Sequence, residues 1–382
     1  MMKSIKSNSQ LIGAIRAPSK HYDVRLLFPV LFLVGIGIVM VYSASSAIAL
    51  KKFGADYYFL KKQALFSLMG IIVLIVCRHI SLKFIRSLTY PLLILSLVSL
   101  TAIHITDFGF SAGGSARWLR FGSLNFQPSE FARFALILYL AYSMSKKKDE
   151  LKNFYIGFLP HIIVLGSFTA LILLQPDFGS AVILWCITWI MLFVGGARIS
   201  HLISPLLIIL PVAYFYMVNA EYRIKRIMSF WDPWQYPTDE GYQIIHSLMA
   251  FGTGGIWGTG IGKGYQKLFY LPEPHTDFIF SVIAEELGLL GILVVIGLYS
   301  LIVWIGIGIA RNCKDSFGSF LAIGLTAALG LQACVNMGVA LGLLPTKGLT
   351  LPFLSYGGTS LLFSMASIGI LMNIGATSSK VK

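Results

Sequence analysis

Long apolar stretches alternate along the chain with short polar connections. A helix needs about 20 mostly apolar residues to cross a bilayer, and stretches of this kind recur from residue 26 to residue 375. They predict about ten transmembrane helices, near residues 26–50, 62–80, 86–106, 129–145, 155–175, 178–196, 199–219, 277–310, 317–343 and 355–375. The first stretch is too long for the apolar part of a cleaved signal peptide, so we interpret it as a membrane span.

Composition supports the same class of protein. Hydrophobic residues make up 56% of the 382 residues and charged residues only 12%, against about 25% charged in soluble domains. We therefore predict an all-α integral membrane protein with one polytopic membrane domain at 26–375. Two cytoplasmic tails, 1–25 and 376–382, would flank it.

The distribution of basic residues indicates the orientation of the protein in the membrane. The net charge is +14, and most of the basic side chains lie in short loops, as in proteins oriented against anionic lipid. No basic, aromatic-rich soluble segment is present that would bind nucleic acid. Counting Lys and Arg favours both termini inside the cell, at the plasma membrane, although four lysines between residues 51 and 62 argue the other way.

Two connections are longer than the others. Residues 107–128 are rich in glycine, and residues 220–276 form a large outer loop between the seventh and eighth predicted helices. Loops of this length are usually functional. An even number of spans separates them, so both are expected on the outer face.

Asp277 lies where the large outer loop meets the eighth predicted helix. A carboxylate in that position is either an N-terminal cap of the helix or a general base or metal ligand at the membrane surface. Glu273 and His275 are close enough in sequence to join it. Glu285 and Glu286, further along, are ionisable groups at membrane depth, which mark either a polar pathway or a buried hydrogen bond.

A second group of residues follows the glycine-rich connection. Glu130 and Arg133 are three residues apart on a predicted helix and therefore neighbours on one face. They form either a structural ion pair or, with Arg117 or Arg120, a cationic site for pyrophosphate, since the guanidinium group matches phosphate oxygens. Trp118 is expected to stack on a sugar or to anchor at the membrane interface.

Three further features have simpler interpretations. Asp177 is expected to cap the helix that follows it, and the glycine-rich run 252–264 lacks the spacing of a phosphate-binding loop, which favours a flexible surface loop. Lys347 would reach the membrane interface or offer a charge to phosphate. The four cysteines have no metal-binding or disulfide spacing.

Six motifs, in this order, resemble those of the FtsW/RodA/SpoVE (SEDS) family. They are Arg117–Trp118, Gln127–Glu130, Gln175–Ser180, Gly241–Gln243, Leu271–Asp277 and Pro352–Gly358. The resemblance covers essentially residues 26–375.

The resemblance implies a peptidoglycan glycosyltransferase that polymerises lipid II and releases undecaprenyl pyrophosphate. The family's essential aspartate falls on Asp277, which would act as base or as ligand of a divalent cation, Mg²⁺ or Mn²⁺. The resemblance and the charges together give the substrate-binding candidates Arg117, Trp118, Glu130, Arg133, His275 and Lys347. The family often has lysine where this chain has Arg133, so a role that needs a deprotonable amine there is in doubt.

The segment Leu344–Thr350 is similar to that of FtsW and SpoVE members, which predicts a role in septal wall synthesis. The family implies a class B penicillin-binding protein as transpeptidase partner, together with divisome proteins and membrane lipid. An elongation-type, RodA-like polymerase is one alternative. A lipid II flippase, with Glu285, Glu286, Glu130 and Arg133 along its pathway, is another, and a scaffold without chemistry is a third.

Overall fold

The computed structural model describes residues 24–105, 109–112, 115–121, 124–219, 221–238, 241–268 and 270–378. Within them the chain forms a bundle of α-helices with one small sheet. The helices are α1 Leu27–Phe53, α2 Tyr58–His79, α3 Leu82–Ser87, α4 Thr89–Ile105, α5 Pro128–Lys146, α6 Leu159–Leu174, α7 Phe178–Val194, α8 Ile199–Ile203, α9 Leu206–Val218, α10 Glu221–Trp231, α11 Tyr242–Gly254, α12 Ile279–Asn312, α13 Ser316–Ala340 and α14 Gly358–Ser378. The strands are β1 Gly109–Ala112, β2 Ser115–Phe121 and β3 Leu124–Phe126.

Each predicted apolar stretch coincides with a helix or a pair of helices. Among the described residues, six helical segments are long and apolar enough to cross a membrane: α1, α2, Phe154–Leu174, α12, α13 and α14. α4 and α7 are shorter apolar helices, and the stretch 199–219 is divided between α8 and α9. The chain is a multi-pass membrane protein, and the placement of both termini inside the cell stays a prediction.

The helices are packed around α13 and α14. The largest helix contacts are α14 with α2, α12 with α13, and α13 with α5. Large apolar side chains on the outside of the bundle are exposed, such as Leu68 and Ile72 on α2 and Trp304 on α12. Such exposure is stable where the surrounding solvent is hydrocarbon.

The glycine-rich connection contains a three-stranded antiparallel sheet, which the sequence analysis did not predict. Phe110 is opposite Trp118, and Leu119 is opposite Phe126. The register shifts between Phe110 and Ser111, so Arg117 is an extra residue of β2 that lies opposite no residue of β1, and the alternation of side chains is interrupted there. At this bulge the Arg117 side chain reaches Pro176 O, to which it donates.

The large outer loop is also more ordered than predicted, since it contains α10 and α11. The glycine-rich run after α11 is a surface loop, as predicted, but its backbone is hydrogen-bonded to α12. It lies against a break in α12 at Gly288, where φ is 63° and ψ is −162°. Thr259 N donates to Glu285 O at 2.9 Å, and Gly260 N to Glu286 O at 3.0 Å. The loop therefore satisfies carbonyl groups that the break leaves without helical partners.

The two glutamates beside this break are held by hydrogen bonds. Glu285 accepts from Tyr265 N at 2.7 Å. Glu286 accepts from Ser43 Oγ on α1 at 2.7 Å and pairs with Lys267 Nζ at 2.5 Å. Both glutamates are buried, so of the two interpretations the buried hydrogen bond is the one the structure supports.

The packing of the loop against the break can be tested at Gly258, with Gly252 as the control position. Gly258 has φ of 78°, and a methyl group there would overlap the backbone of Glu286 and Gly288. We expect Gly258→Ala to destabilise the protein by about 1–3 kcal/mol and to lower its thermal midpoint in detergent. Gly252→Ala is the matched control, since Gly252 lies within α11 with no atom close to the added methyl. Equal midpoints for the two variants would contradict the described packing.

Candidate active site around Asp277

Asp277 lies immediately before α12 and is half-buried. It does not cap the helix, because the N-cap position belongs to Phe278 and no side chain bonds there. One carboxylate oxygen of Asp277 faces Gly348, whose missing Cβ would lie 3.2 Å away. The cap interpretation is therefore wrong, and the carboxylate is directed towards the connection between α13 and α14.

The surroundings of Asp277 change its acidity. Burial, reinforced by the nearby charge of Glu273, raises the pKa of Asp277 to about 7, against the opposing effects of Arg117 and a hydrogen bond from Thr276. A carboxyl with this pKa exchanges its proton near neutral pH, which suits a general base.

Arg117 approaches Asp277 from β2. Its Nη2 donates to Pro176 O at 3.0 Å, and its Nη1 would lie 3.8 Å from a Cβ on Gly348. The buried Nε of Arg117 has no hydrogen-bond partner. The guanidinium thus lies beside Asp277, and its Nε–H is available to donate a hydrogen bond.

Lys347 belongs to the same connection as Gly348 and is turned inward. Its Nζ lies 5.5 Å from the centre of the Phe178 ring, at the beginning of α7. Burial lowers the pKa of Lys347, and the neighbouring Asp177 opposes this change. Asp177 accepts from Ser180 N at 3.2 Å, which confirms that it caps α7. The Lys347 side chain is therefore directed towards the beginning of α7.

Glu130 and Arg133 form the expected ion pair on α5 and are buried in the bundle. They line a cavity of about 20 Å³ with Gln332, Ser364 and other residues of α13 and α14. Such a volume holds about one water molecule. The geometry supports the structural interpretation of the pair and leaves Arg133 engaged with Glu130.

Two further candidates lie elsewhere. Trp118 lies opposite Phe110 in the sheet. His275 is buried in an aromatic cluster, with ring centres 4.6 Å from Phe59 and 5.7 Å from Tyr356, and burial lowers its pKa. The structure thus places Arg117 beside Asp277 and Lys347 next to Gly348 in the adjoining segment, with its side chain over the beginning of α7, whereas the His275 ring belongs to the aromatic cluster.

Buried polar side chains that the sequence analysis did not single out hold these segments. Asn336 on α13 donates to Asp277 O at 2.9 Å, and Gln332 donates to Thr350 O at 2.9 Å. Ser355 Oγ donates to Thr276 O at 2.5 Å. The sequence feature that could have identified them is the presence of amide side chains within an apolar helix, where polar groups need hydrogen-bond partners.

Comparison with known proteins agrees with this architecture. The family model described as "Cell cycle protein", which represents FtsW, RodA and SpoVE, matches residues 24–380. This chain belongs to the FtsW/RodA/SpoVE family.

Individual relatives cover nearly the whole chain. It is 46% identical to the probable peptidoglycan glycosyltransferase FtsW of Geobacter sp. (strain M18), over 92% of this chain and 96% of the relative. It is 40% identical to the stage V sporulation protein E of Bacillus subtilis (strain 168), over 92% and 96%.

Solved structures share the fold. A chain from work on the structural coordination of polymerization and crosslinking by a peptidoglycan synthase complex superposes with a TM-score of 0.78 and 29% identity, over 94% of this chain and 98% of that one. The rod shape determining protein RodA of Thermus thermophilus gives a TM-score of 0.69 and 28% identity, over 93% and 97%.

The contact between Gly348 and Asp277 can be tested directly. A methyl group in Gly348→Ala would press on the carboxylate at 3.2 Å. We expect the polymerisation rate implied by the sequence resemblance to fall about tenfold or more, since small displacements of reacting groups are costly, while the thermal midpoint stays nearly unchanged.

Gly357→Ala is the matched control for this test. Its methyl group would meet Thr350 Cγ2, also at 3.2 Å, without touching Asp277. A rate for Gly348→Ala equal to that of Gly357→Ala would contradict the assignment of the carboxylate to the site.

Proposed function

We propose that this chain polymerises lipid II into glycan strands at the outer face of the plasma membrane, with Asp277 at the centre of the site. The chain is a peptidoglycan glycosyltransferase, as its curated FtsW relatives are named. The observation that carries the proposed site is the half-buried Asp277 carboxyl, with a pKa of about 7, beside the Arg117 guanidinium.

Asp277 acts as the general base in this proposal. It removes the proton from the 4-hydroxyl group of the acceptor sugar as that oxygen attacks C1 of the growing chain's terminal MurNAc. The bond from C1 to the pyrophosphate breaks, and undecaprenyl pyrophosphate leaves with the electron pair. A positioned base of this kind typically accelerates proton transfer by about 10²–10⁴-fold.

The leaving group gains negative charge and needs cationic partners. Arg117 is suited to this role, because it lies beside Asp277 and its Nε has no partner. Lys347 extends the positive charge towards the beginning of α7. Arg133 has no part in this step, since it is paired with Glu130 inside the bundle.

A divalent cation is compatible with the residues present. The described residues contain no group of three or more potential metal ligands, but Mg²⁺ is often bound by one or two carboxylates together with substrate phosphates. Asp277 and Glu273, which interact electrostatically, are the residues that would hold it, and Asp277 would then serve as a ligand instead of as the base. Such a cation would neutralise charge on the pyrophosphate.

The septal role and the partner are further parts of the proposal. Identity to FtsW relatives reaches 46%, whereas the solved RodA is 28% identical, which supports cell division over elongation. The solved neighbour comes from a peptidoglycan synthase complex that coordinates polymerization and crosslinking. We extend that arrangement to this chain, with a class B penicillin-binding protein as transpeptidase, beside divisome proteins and membrane lipid.

Transport of lipid II without chemistry is less well supported. A pathway through the bundle would use the buried carboxylates, but Glu286 is bound by Lys267 and Ser43, and Glu130 by Arg133. The cavity beside Glu130 has room for about one water molecule, not for a disaccharide.

The test is polymerisation of labelled lipid II by the protein purified with its cognate transpeptidase. We expect Asp277→Asn, which keeps the size of the side chain but removes the base, to lower the rate by at least about 100-fold. Asp149→Asn is the matched control, because Asp149 is exposed beyond the far end of α5. Wild-type polymerisation by Asp277→Asn would refute the role of Asp277, and lipid II translocation without polymer would favour a flippase.

A further inference from the structure

α13 carries two buried amide side chains one helical turn apart, Gln332 and Asn336, each about 1% exposed. Residues four apart lie on the same face of a helix. Both amides reach beyond the helix to backbone oxygens of the outer segments. Gln332 Nε2 donates to Thr350 O at 2.9 Å, and Asn336 Nδ2 donates to Leu349 O at 2.6 Å.

Asn336 differs from Gln332 in what it joins, because the further bonds of Gln332 go to Thr350 Oγ1 and Ser360 Oγ, on the same side of the site. The same Nδ2 donates to Asp277 O at 2.9 Å, so one NH₂ group joins two segments that are far apart in sequence. The orientation of the amide follows from chemistry, because the opposite orientation would place its oxygen against two carbonyl oxygens that only accept. Both bonds depend on the amide nitrogen.

The two segments that Asn336 joins carry the two halves of the candidate site. One ends in Asp277, the proposed base. The other contains Gly348, which faces the Asp277 carboxylate, and Lys347, which lies over α7. The distance between the carboxylate and this cationic segment therefore depends on a side chain that lies beneath both.

We propose that Asn336 is a positioning residue, whose amide fixes the backbone of Asp277 against the Lys347–Leu349 segment so that base and cation face one substrate. This inference rests on the proposed role of Asp277 and adds to it a residue that touches neither substrate nor reacting atoms. A misplacement of about 1 Å at a catalytic group can lower a rate on the order of 100-fold.

Asn336→Asp is the main variant. It preserves the shape of the side chain but replaces the NH₂ donor with an oxygen that faces two carbonyl groups. We expect kcat for lipid II polymerisation to fall on the order of 100-fold, with KM changed by less than about threefold, because the substrate does not touch Asn336. Thermal unfolding and gel filtration establish that the variant is folded.

A second variant keeps the test possible if Asn336→Asp does not fold. The serine hydroxyl of Asn336→Ser is too short to reach the two carbonyl oxygens, but it places no acceptor against them, so its loss of kcat is expected to be smaller than that of Asn336→Asp but still about tenfold or more. Asn336→Ser removes more volume than Asn336→Asp, so a general packing role would produce the opposite order.

Two controls on the same helix separate positioning from packing. Gln332→Leu removes the bond to Thr350 without touching the Asp277 segment, so its loss of kcat is expected to be smaller than that of Asn336→Asp. Thr326→Val removes a buried hydroxyl that has no hydrogen-bond partner, and its rate is expected to equal that of wild type.

Asp277→Asn, measured in the same series, separates a failure of the inference about Asn336 from a failure of the proposed function. If Asp277→Asn is inactive and folded while Asn336→Asp and Asn336→Ser retain the wild-type kcat, the inference about Asn336 is overturned and the role of Asp277 stands. If Asp277→Asn retains the wild-type rate, the proposed function of the site fails instead.

Discussion

A bilayer offers no water to backbone N–H and C=O groups, so any irregular backbone at membrane depth must find its partners inside the protein. The connection between α13 and α14 shows the effect of this constraint. Gly37 lies within α1, yet a Cβ on it would come within 2.6 Å of Phe353 O. The connection therefore enters the bundle, and its carbonyl groups are satisfied by Gln332 and Asn336.

The same constraint acts at the break in α12. Carbonyl groups that a continuous helix would satisfy are instead bound by the loop after α11, and Lys267 and Ser43 secure Glu286 beneath it. Asp277 lies two residues before the short helical piece, beginning at Ile279, that this break separates from the rest of α12. The position of the proposed base thus follows from where the protein can satisfy its irregular backbone.

Two kinds of acidic residue can be distinguished in the bundle by their surroundings. Glu286 and Glu130 are buried and bound by neighbouring cations, as expected of groups that hold helices together. Asp277 is half-buried beside a glycine that leaves space in front of it, and its pKa is raised to about 7. Arg117 and Lys347 provide positive charge on the adjoining segments. This contrast is the physical basis for assigning chemistry to Asp277.

The sequence was sufficient to predict the helices, because an apolar stretch of about 20 residues is typical of a membrane-spanning helix. It also predicted the Glu130–Arg133 pair and the Asp177 cap, which depend only on local spacing. It missed the sheet, whose strands have three to seven residues. The position of Trp118 depends on the register of that sheet, and that of His275 on aromatic contacts with distant segments. Asn336 was missed because its partners are 59 and 13 residues away.

The most direct measurement is a cryo-electron microscopy structure of the protein and its transpeptidase with lipid II bound. The account predicts a sugar within hydrogen-bonding distance of the Asp277 carboxylate and the pyrophosphate beside Arg117 and Lys347. A head group enclosed between α5, α13 and α14 beside Glu130 and Arg133, with Asp277 out of reach, would contradict it.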